Sequence, residues 1–553
     1  MDVLFFSRHS LNRILILVGR PTNLETAIQS EHAKLIASGY YRNFRQVMEN
    51  FYLGLRLDLN QHFDKRIVAG LTARDIKLGA SQKFMLRTLQ TSSFKKAIAY
   101  SKLTKTTLWF PVSRESQLDL QGLKVDFNPI VCTCLYGIFK VLLSVRSFAK
   151  ACANQFYLFL SFNKRKKDTA SPTSFCSPVF LGGFLPLNFP SQGYESLTFF
   201  EWLQNKLGGN HLYLHDCRTL RLFGQSNPPH ELRYSPNAIS IGSIPTEIQV
   251  LNHLMVASFK SIFITRVSIF DFLTQIDDLV KAVRIHLMSP ESVVDLALFP
   301  NTVVVERPLW SITLERKGKK VVLFHYSASA EPLEIDSERI VDGIWNLSSW
   351  TLAWIVDAYQ EAQMRAISEF TATEFEVVGV PYWSGRKLDA SFFNGGPWVS
   401  VFDTTIRSNL VFSASSIDDL GWNNSELEEK FIRLILEAAV PLNLKVLHKK
   451  KRRVSETNQL DFDRTAETLK DEFGDFYTVV DENVAPESLI ENSSFVVSKP
   501  ISTIAFSATQ YGVPAIILDP TGKLRRDDPG LRNLPVAQQS AELAAFFLSR
   551  IDH

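Results

Sequence analysis

From residue 398 onward the chain alternates short apolar runs with amphipathic stretches at helical spacing. WVSVFDTT (398–405) predicts a strand ending in polar residues, and SELEEKFIRLILEAAVPLN (425–443) predicts a helix. Ser425 followed three positions on by Glu428 reads as a capping box at its start. LKVLHKKKRR (444–453) predicts a strand that runs out into five consecutive cations. DFYTVVD (475–481) is a third strand and APESLIENS (485–493) a short helix. SFVVSKPISTIAFSATQYGVPAIILD (494–519) then gives strand, helix and strand again, and VAQQSAELAAFFLSRI (536–551) closes on an amphipathic helix. Strands and helices that alternate in this way form parallel α/β layers.

Upstream the pattern is looser. Strands are expected in HLYLHD (211–216), SIFITRV (261–267), KKVVLFHYS (319–327) and FEVVGVPYW (375–383), with a helix-length amphipathic segment at 346–369. Residues 20–110 read as helices and basic loops. The Pro-, Gly- and Ser-rich stretch 168–193 reads as a linker or long loop, and Gly395, Gly396 and Pro397 mark a second linker, directly before a clean strand. There is no internal repeat. The expected organisation is a helical or mixed region over 1–190 that belongs to the first domain, an α/β domain over 191–388, and a second α/β domain over 389–553. A chain of 553 residues is too long for one core.

Two apolar segments bear on location. The opening MDVLFFSRHSLNRILILVGRP is broken by Arg8, His9 and Arg13 and reads as a strand rather than a leader. The run 127–162 is interrupted by Lys140, Arg146 and Lys150, so it lacks the uncharged length of a membrane span. With KRKK at 164–167 behind it, it is either a buried helical pair or a membrane-surface segment whose cations face anionic lipid. The net charge of +3, from 60 basic and 57 acidic residues, is no nucleic-acid footprint. Five cysteines make no disulfide framework. Cys132 and Cys134 are expected as buried thiols, and the compartment as reducing and cytoplasmic.

In an open parallel sheet, ligands bind beyond the carboxyl ends of the strands. The polar residues at those ends are Asp403, Thr404 and Thr405, then Lys449 to Arg453, then Asp481 and Glu482, and finally Ser502 and Thr503. Two hydroxyls at a helix start, with free backbone N–H groups and the helix dipole, make a phosphate seat. There is no G-x-G-x-x-G and no Walker lysine, so a phosphorylated small molecule fits better than a buried dinucleotide. Each signal also has a plain structural meaning: Ser502 as a helix cap, the cations as a solvated strand end, Asp403 as the start of a turn. What distinguishes them is that all fall at one edge of one sheet.

Several motifs in order resemble the bacterial polysaccharide-biosynthesis proteins named for a PFTS motif. They are VVLFHYSASAE (321–331), WIVDAYQ (354–360), EVVGVPYWSG (376–385), VSVFDTT (399–405), the basic strand end at 448–453, and IENSSFVVSKPISTIAFSATQYGVPAIILDP, which ends at 520. Pro500 matches the motif's proline, Ile501 replaces its Phe, and Ser502 and Thr503 stand for its Thr and Ser. The resemblance implies two Rossmann-like α/β domains facing a cleft, the GT-B arrangement of glycosyltransferases. It implies transfer of a sugar from a nucleotide-activated donor to a glycan or lipid-linked acceptor. No Asp-x-Asp metal pair stands at a strand end, so transfer without metal or cofactor is expected, and the membrane-surface reading of 127–167 would place it in contact with the inner membrane surface. Donor phosphate would be held by Thr404, Lys449, Lys451, Arg452, Pro500, Ser502 and Thr503, and the acceptor's base would come from Asp403, His325 or Glu331. The rivals are a non-catalytic sugar-phosphate-binding or scaffold protein and a nucleotide-sugar epimerase with the same cleft.

Overall fold

The computed structural model describes residues 177–184, 199–208, 211–216, 232–235, 275–301, 307–327, 333–335, 338–340, 348–367, 372–381, 387–403, 425–450, 456–500 and 502–551, with short stretches between 27 and 138. Within these are two parallel sheets. The N-terminal sheet contains β1 (Ser177–Leu181), β2 (His211–His215), β3 (Leu232–Tyr234), β4 (Leu296–Pro300), β5 (Lys320–Phe324), β6 (Leu352–Ile355) and β7 (Glu374–Val377). Its strands run 3-2-1-4-5-6-7, all parallel. The C-terminal sheet contains β8 (Trp398–Phe402), β9 (Lys445–Lys449), β10 (Tyr477–Val480), β11 (Phe495–Ser498), β12 (Ala515–Leu518) and β13 (Val536–Ala537), ordered 10-9-8-11-12-13 and again parallel. Both orders are doubly wound. In each, the winding reverses beside the first strand, at β1/β4 and at β8/β11, and that reversal opens a crevice at the carboxyl edge.

The C-terminal sheet is apolar on both faces because helices cover both. Alternation along each strand divides its side chains. Val399, Val401, Val446, Phe495 and Val497 pack under α5 (Ser425–Ala439) and α9 (Ser540–Ile551), against Phe431, Ile435, Leu543 and Phe547. Phe402, Leu447, Val496 and Ile517 lie on the other face with α7 (Pro486–Ile490) and α8 (Thr503–Gln510). Each fully buried Val, Leu or Ile of these layers contributes about 1.5–3 kcal/mol. Val356 from the end of β6 joins the second layer, with Val380 and Leu388 against it, so an apolar seam runs between the sheets.

Several expectations change. The stretch read as a linker holds β1, an interior strand of its sheet at the point where the winding reverses. Its Pro178 and the Ser and Gly residues around it disguised a five-residue run whose Val179, Phe180 and Leu181 are buried. Gly182 must be glycine there, because a Cβ would come within 2.4 Å of the Phe299 ring. The segment 346–369 is not one helix: Leu352–Ile355 is β6, and Asp357 then caps α4 (Ala358–Arg365) by accepting from the Gln360 N–H. A continuous apolar run before a cap is what a buried parallel strand looks like. The closing helix begins at Ser540, with Val536–Ala537 as an edge strand before it. The polar helix α6 (Glu456–Phe473) had no apolar periodicity to announce it. Cys134 is exposed rather than buried, as are Ile130 and Ile138, at 75% and 56%. A small hairpin, Ile67–Val68 with Leu71–Thr72, packs on α3 (Leu309–Arg316), where Thr313 donates to the Ala69 carbonyl and Arg316 pairs with Asp75 at 2.7 Å. The expected strands at 1–21 and 261–267 and the basic run 164–167 lie outside the described residues.

Candidate active site at the edge of the C-terminal sheet

β8 and β11 are neighbours in register, with Phe402 beside Ser498, so Asp403 and the turn 499–502 leave the sheet together at its reversal point. Sequence placed them at one edge, and the strand order puts them side by side. Ser502 has the extended backbone of a helix cap, and its Oγ accepts from the Ile504 N–H at 3.4 Å. Thr503 begins α8, and its Oγ1 lies 2.7 Å from Ser327 Oγ, which follows β5 in the other sheet. Ser502 and Thr503 are 5% and 6% exposed. Pro500 is buried between them and β11. The carboxyl edges of the two sheets thus meet at the turn carrying the motif hydroxyls.

Asp403 is buried and belongs to a cluster that sequence did not reveal. His448 lies two residues after Val446 and points to the same face, under α5. Its Nε2 is 3.4 Å from Asp403 Oδ2 and 3.7 Å from Glu428 Oε1, and its Nδ1 is 2.8 Å from the Tyr477 hydroxyl. Glu428 is ion-paired with the Lys499 ammonium, which also sits 5.3 Å over the Phe431 ring. All are nearly inaccessible to water. Glu428 therefore faces inward to Lys499 and His448, where the capping-box reading had it serving the start of α5. Burial pushes the Glu428 carboxyl above the usual range, with the Lys499 charge opposing. Burial, reinforced by the two carboxylates, also keeps the Tyr477 phenol protonated. Asp403, Glu428 and His448 present donor atoms within 4.8 Å of one another, a set that could hold a cation, although Lys499 already places a positive charge on Glu428. A faint signal existed: His448 and Lys499 are polar residues at positions where strand alternation points inward.

The remaining assignments divide. Lys449 is at a strand end as expected, but it is not a solvated cation. Its Nζ donates to the carbonyls of Lys450 and Glu482 at 3.0 and 3.2 Å, and burial lowers its pKa despite Asp403, Glu482, Glu487 and Asp481 nearby. Lys451, Arg452, Thr404 and Glu331 lie outside the described residues. His325 follows β5 and is completely buried, and desolvation pushes its imidazole down to about 3, so it stays neutral at ordinary pH. Asp519, from the closing Asp-Pro, shapes its own loop. Its carboxylate accepts from the N–H and hydroxyl of Thr521 and from the Leu524 N–H.

Residues 258–547, just over half of the chain, match the family model described as Polysaccharide biosynthesis PFTS motif protein. The chain belongs to that family. The motif turn at 500–503 lies within the matched span, as do both reversal-point strands of the C-terminal sheet. No curated protein sequence matches the chain. Among solved structures it is similar to HepE from Anabaena in complex with UDP and glucose, with TM-score 0.37 and 9% identity over 68% of this chain and 90% of that one. A UDP-glucosyltransferase from Polygonum tinctorium gives 0.35 and 9% over 68% and 82%. The UDP-GlcNAc 2-epimerase from Methanocaldococcus jannaschii gives 0.32 and 11% over 68% and 91%.

Proposed function

We propose that the protein is a glycosyltransferase of surface-polysaccharide assembly, moving a sugar from a nucleotide-activated donor to a glycan or lipid-linked acceptor. The observation that carries this reading is the motif turn of a polysaccharide-biosynthesis family opening at the reversal point of one doubly wound sheet and touching the carboxyl edge of a second, at Ser327–Thr503. The donor's phosphates lie at the start of α8. There the amides and the helix dipole, with the Ser502 and Thr503 hydroxyls, stabilise the nucleotide anion as it leaves. Thr404, Lys451 and Arg452 are proposed to complete the phosphate contacts, with Pro500 shaping the turn. Lys449 acts by holding the ends of β9 and β10 together through its two carbonyls. Of the base candidates, neutral and enclosed His325 fits least, since a base must reach the acceptor proton. Asp403, also largely enclosed but with 4% of its side chain exposed at the reversal point, is assigned the role ahead of His325, with Glu331 as the other candidate.

A thermal-shift panel of UDP, GDP and CMP tests the donor class, because a ligand that binds only the native state raises its stability. Ser502→Ala with Thr503→Val is expected to weaken the nucleotide that binds by about 2–3 kcal/mol, as for hydrogen bonds to a charged group. Unchanged affinity in a merely destabilised protein would reduce both hydroxyls to structure. Nucleotide release that requires an acceptor distinguishes transfer from epimerisation, and nucleotide binding without turnover would favour the scaffold.

The exposed Ile130 and Ile138 favour the membrane-surface reading of 127–167. Among the described residues no helix is long and apolar enough to cross a membrane. Co-sedimentation with anionic vesicles, lost on changing Lys164, Arg165, Lys166 and Lys167 to Gln, is the expected result, at about 1 kcal/mol per cation.

A further inference from the structure

The contact between Ser327 and Thr503 is one link in a closed circuit between the sheets. The Ser327 carbonyl accepts from Gln360 Nε2 at 2.7 Å. Gln360 is completely buried; its Oε1 accepts from the Val356 N–H at 2.7 Å, and its own N–H donates to Asp357 Oδ1 at 2.8 Å. The Asp357 carboxylate takes both Nε and Nη2 of Arg532, at 2.5 and 3.1 Å. The Arg532 guanidinium lies 4.2 Å from the Phe506 ring centroid, on α8 itself. The circuit therefore leaves α8 at Thr503, crosses to the N-terminal sheet, and returns to α8 one turn later at Phe506.

The circuit bears on the motif hydroxyls where it leaves α8, at Thr503. Ser502 Oγ is engaged as the cap of α8, so Thr503 is the motif hydroxyl that faces the other domain. Its partner Ser327 is held by its own backbone, through an amide whose two ends are both committed, which keeps the Ser327 side chain beside Thr503. Hydroxyls reorient at little cost and donate readily to anionic oxygen. We propose that Ser327 is the N-terminal domain's contribution to the donor phosphate site, with Gln360 as the residue that positions it. This rests on the nucleotide-sugar reading above. It adds that phosphate is gripped from both domains, so occupancy of the C-terminal site is felt directly across the cleft.

The test uses the full chain and calorimetric titration with UDP, GDP and CMP, alongside uridine, guanosine and cytidine. Ser327→Ala is expected to weaken the nucleotide that binds about tenfold, leaving the matching nucleoside unchanged, and Ser327→Thr is expected to restore it. Gln360→Met, which keeps the side chain's length but loses its amide, is expected to lower the nucleotide-to-nucleoside affinity ratio as well. A merely structural role would lower stability and leave that ratio where it was. Equal nucleotide affinity in wild type and Ser327→Ala would overturn the inference while the functional reading stands. A wild-type protein that binds none of the nucleotides would overturn both.

Discussion

Two histidines stand at the carboxyl edges of the two sheets, and their surroundings make them opposites. His325, just past β5, is buried with its pKa pushed down to about 3 by desolvation, and the sheet behind it is packed with Phe180, Phe299, Trp310 and Trp354. His448, in β9, is equally buried but has two carboxylates within 3.7 Å and a phenol at 2.8 Å. Burial that withdraws water from an imidazole keeps it neutral. Burial among carboxylates builds a network in which each charge depends on the others. The N-terminal edge is therefore a packed support, and the C-terminal edge carries the electrostatics behind the motif turn.

The comparison is broken most forcefully at Lys499. Removing one partner of a buried ion pair leaves an uncompensated charge, so Lys499→Met is expected to cost about 3–5 kcal/mol in urea unfolding. Pairing it with Glu428→Leu is expected to recover much of that loss, because neither charge is then stranded. Strict additivity of the two substitutions would show that the cluster is not a coupled unit. Since Lys499 immediately precedes the motif turn, the same variant also tests whether the network holds that turn in place.

His325 makes the converse, smaller forecast, readable in pH. Its native pKa of about 3 lies below the ordinary 6.5 of an unfolded histidine. The unfolded chain therefore takes up this proton first as pH falls. The stabilisation is fully present above pH 6.5 and is lost toward pH 3, by about 1.4 kcal/mol per unit. At pH 5 about 2 kcal/mol should have gone. Denaturant unfolding of wild type and His325→Leu at pH 7 and pH 5 isolates the term: the variant should lack that part of the acid loss. Equal losses in both proteins would mean that His325 finds a charged environment after all, and the contrast with His448 would fail.

The same contrast explains what could be read from the sequence. The C-terminal sheet was legible because its strands are short apolar runs bounded by polar ends, as in WVSVFDTT and FVVSKP, with capped amphipathic helices between. The polar edge of the sheet followed from those strand ends. β1 and β6 were hidden by Pro178 and by an apolar run merging into a helix, and α6 by its polarity. Beyond the inward-pointing parity of His448 and Lys499, the charged cluster could not be assembled from the sequence. Asp403, Glu428, His448 and Lys499 come from four elements far apart in sequence, and only the strand order and the face assignment of β9 bring them together. The bridge from Ser327 to Thr503 spans 176 positions and is likewise a product of topology.

The smallest forecast sharpens the meaning of the motif turn itself. Ser502 Oγ reaches the Ile504 amide at 3.4 Å, long for a cap. Ser502→Ala alone is then expected to cost only about 0.5–1 kcal/mol of stability, the low side of the usual range, and Ser502→Gly a few tenths. If the hydroxyl is kept chiefly for the cap, stability and nucleotide affinity should fall together, and both should be spared in the glycine variant, which also suits a cap position. If it is kept chiefly for phosphate, alanine and glycine should weaken the nucleotide equally while differing in stability. Measuring unfolding and nucleotide titration on the same two proteins separates these outcomes, because glycine can replace serine as a cap but supplies no hydroxyl to an anion.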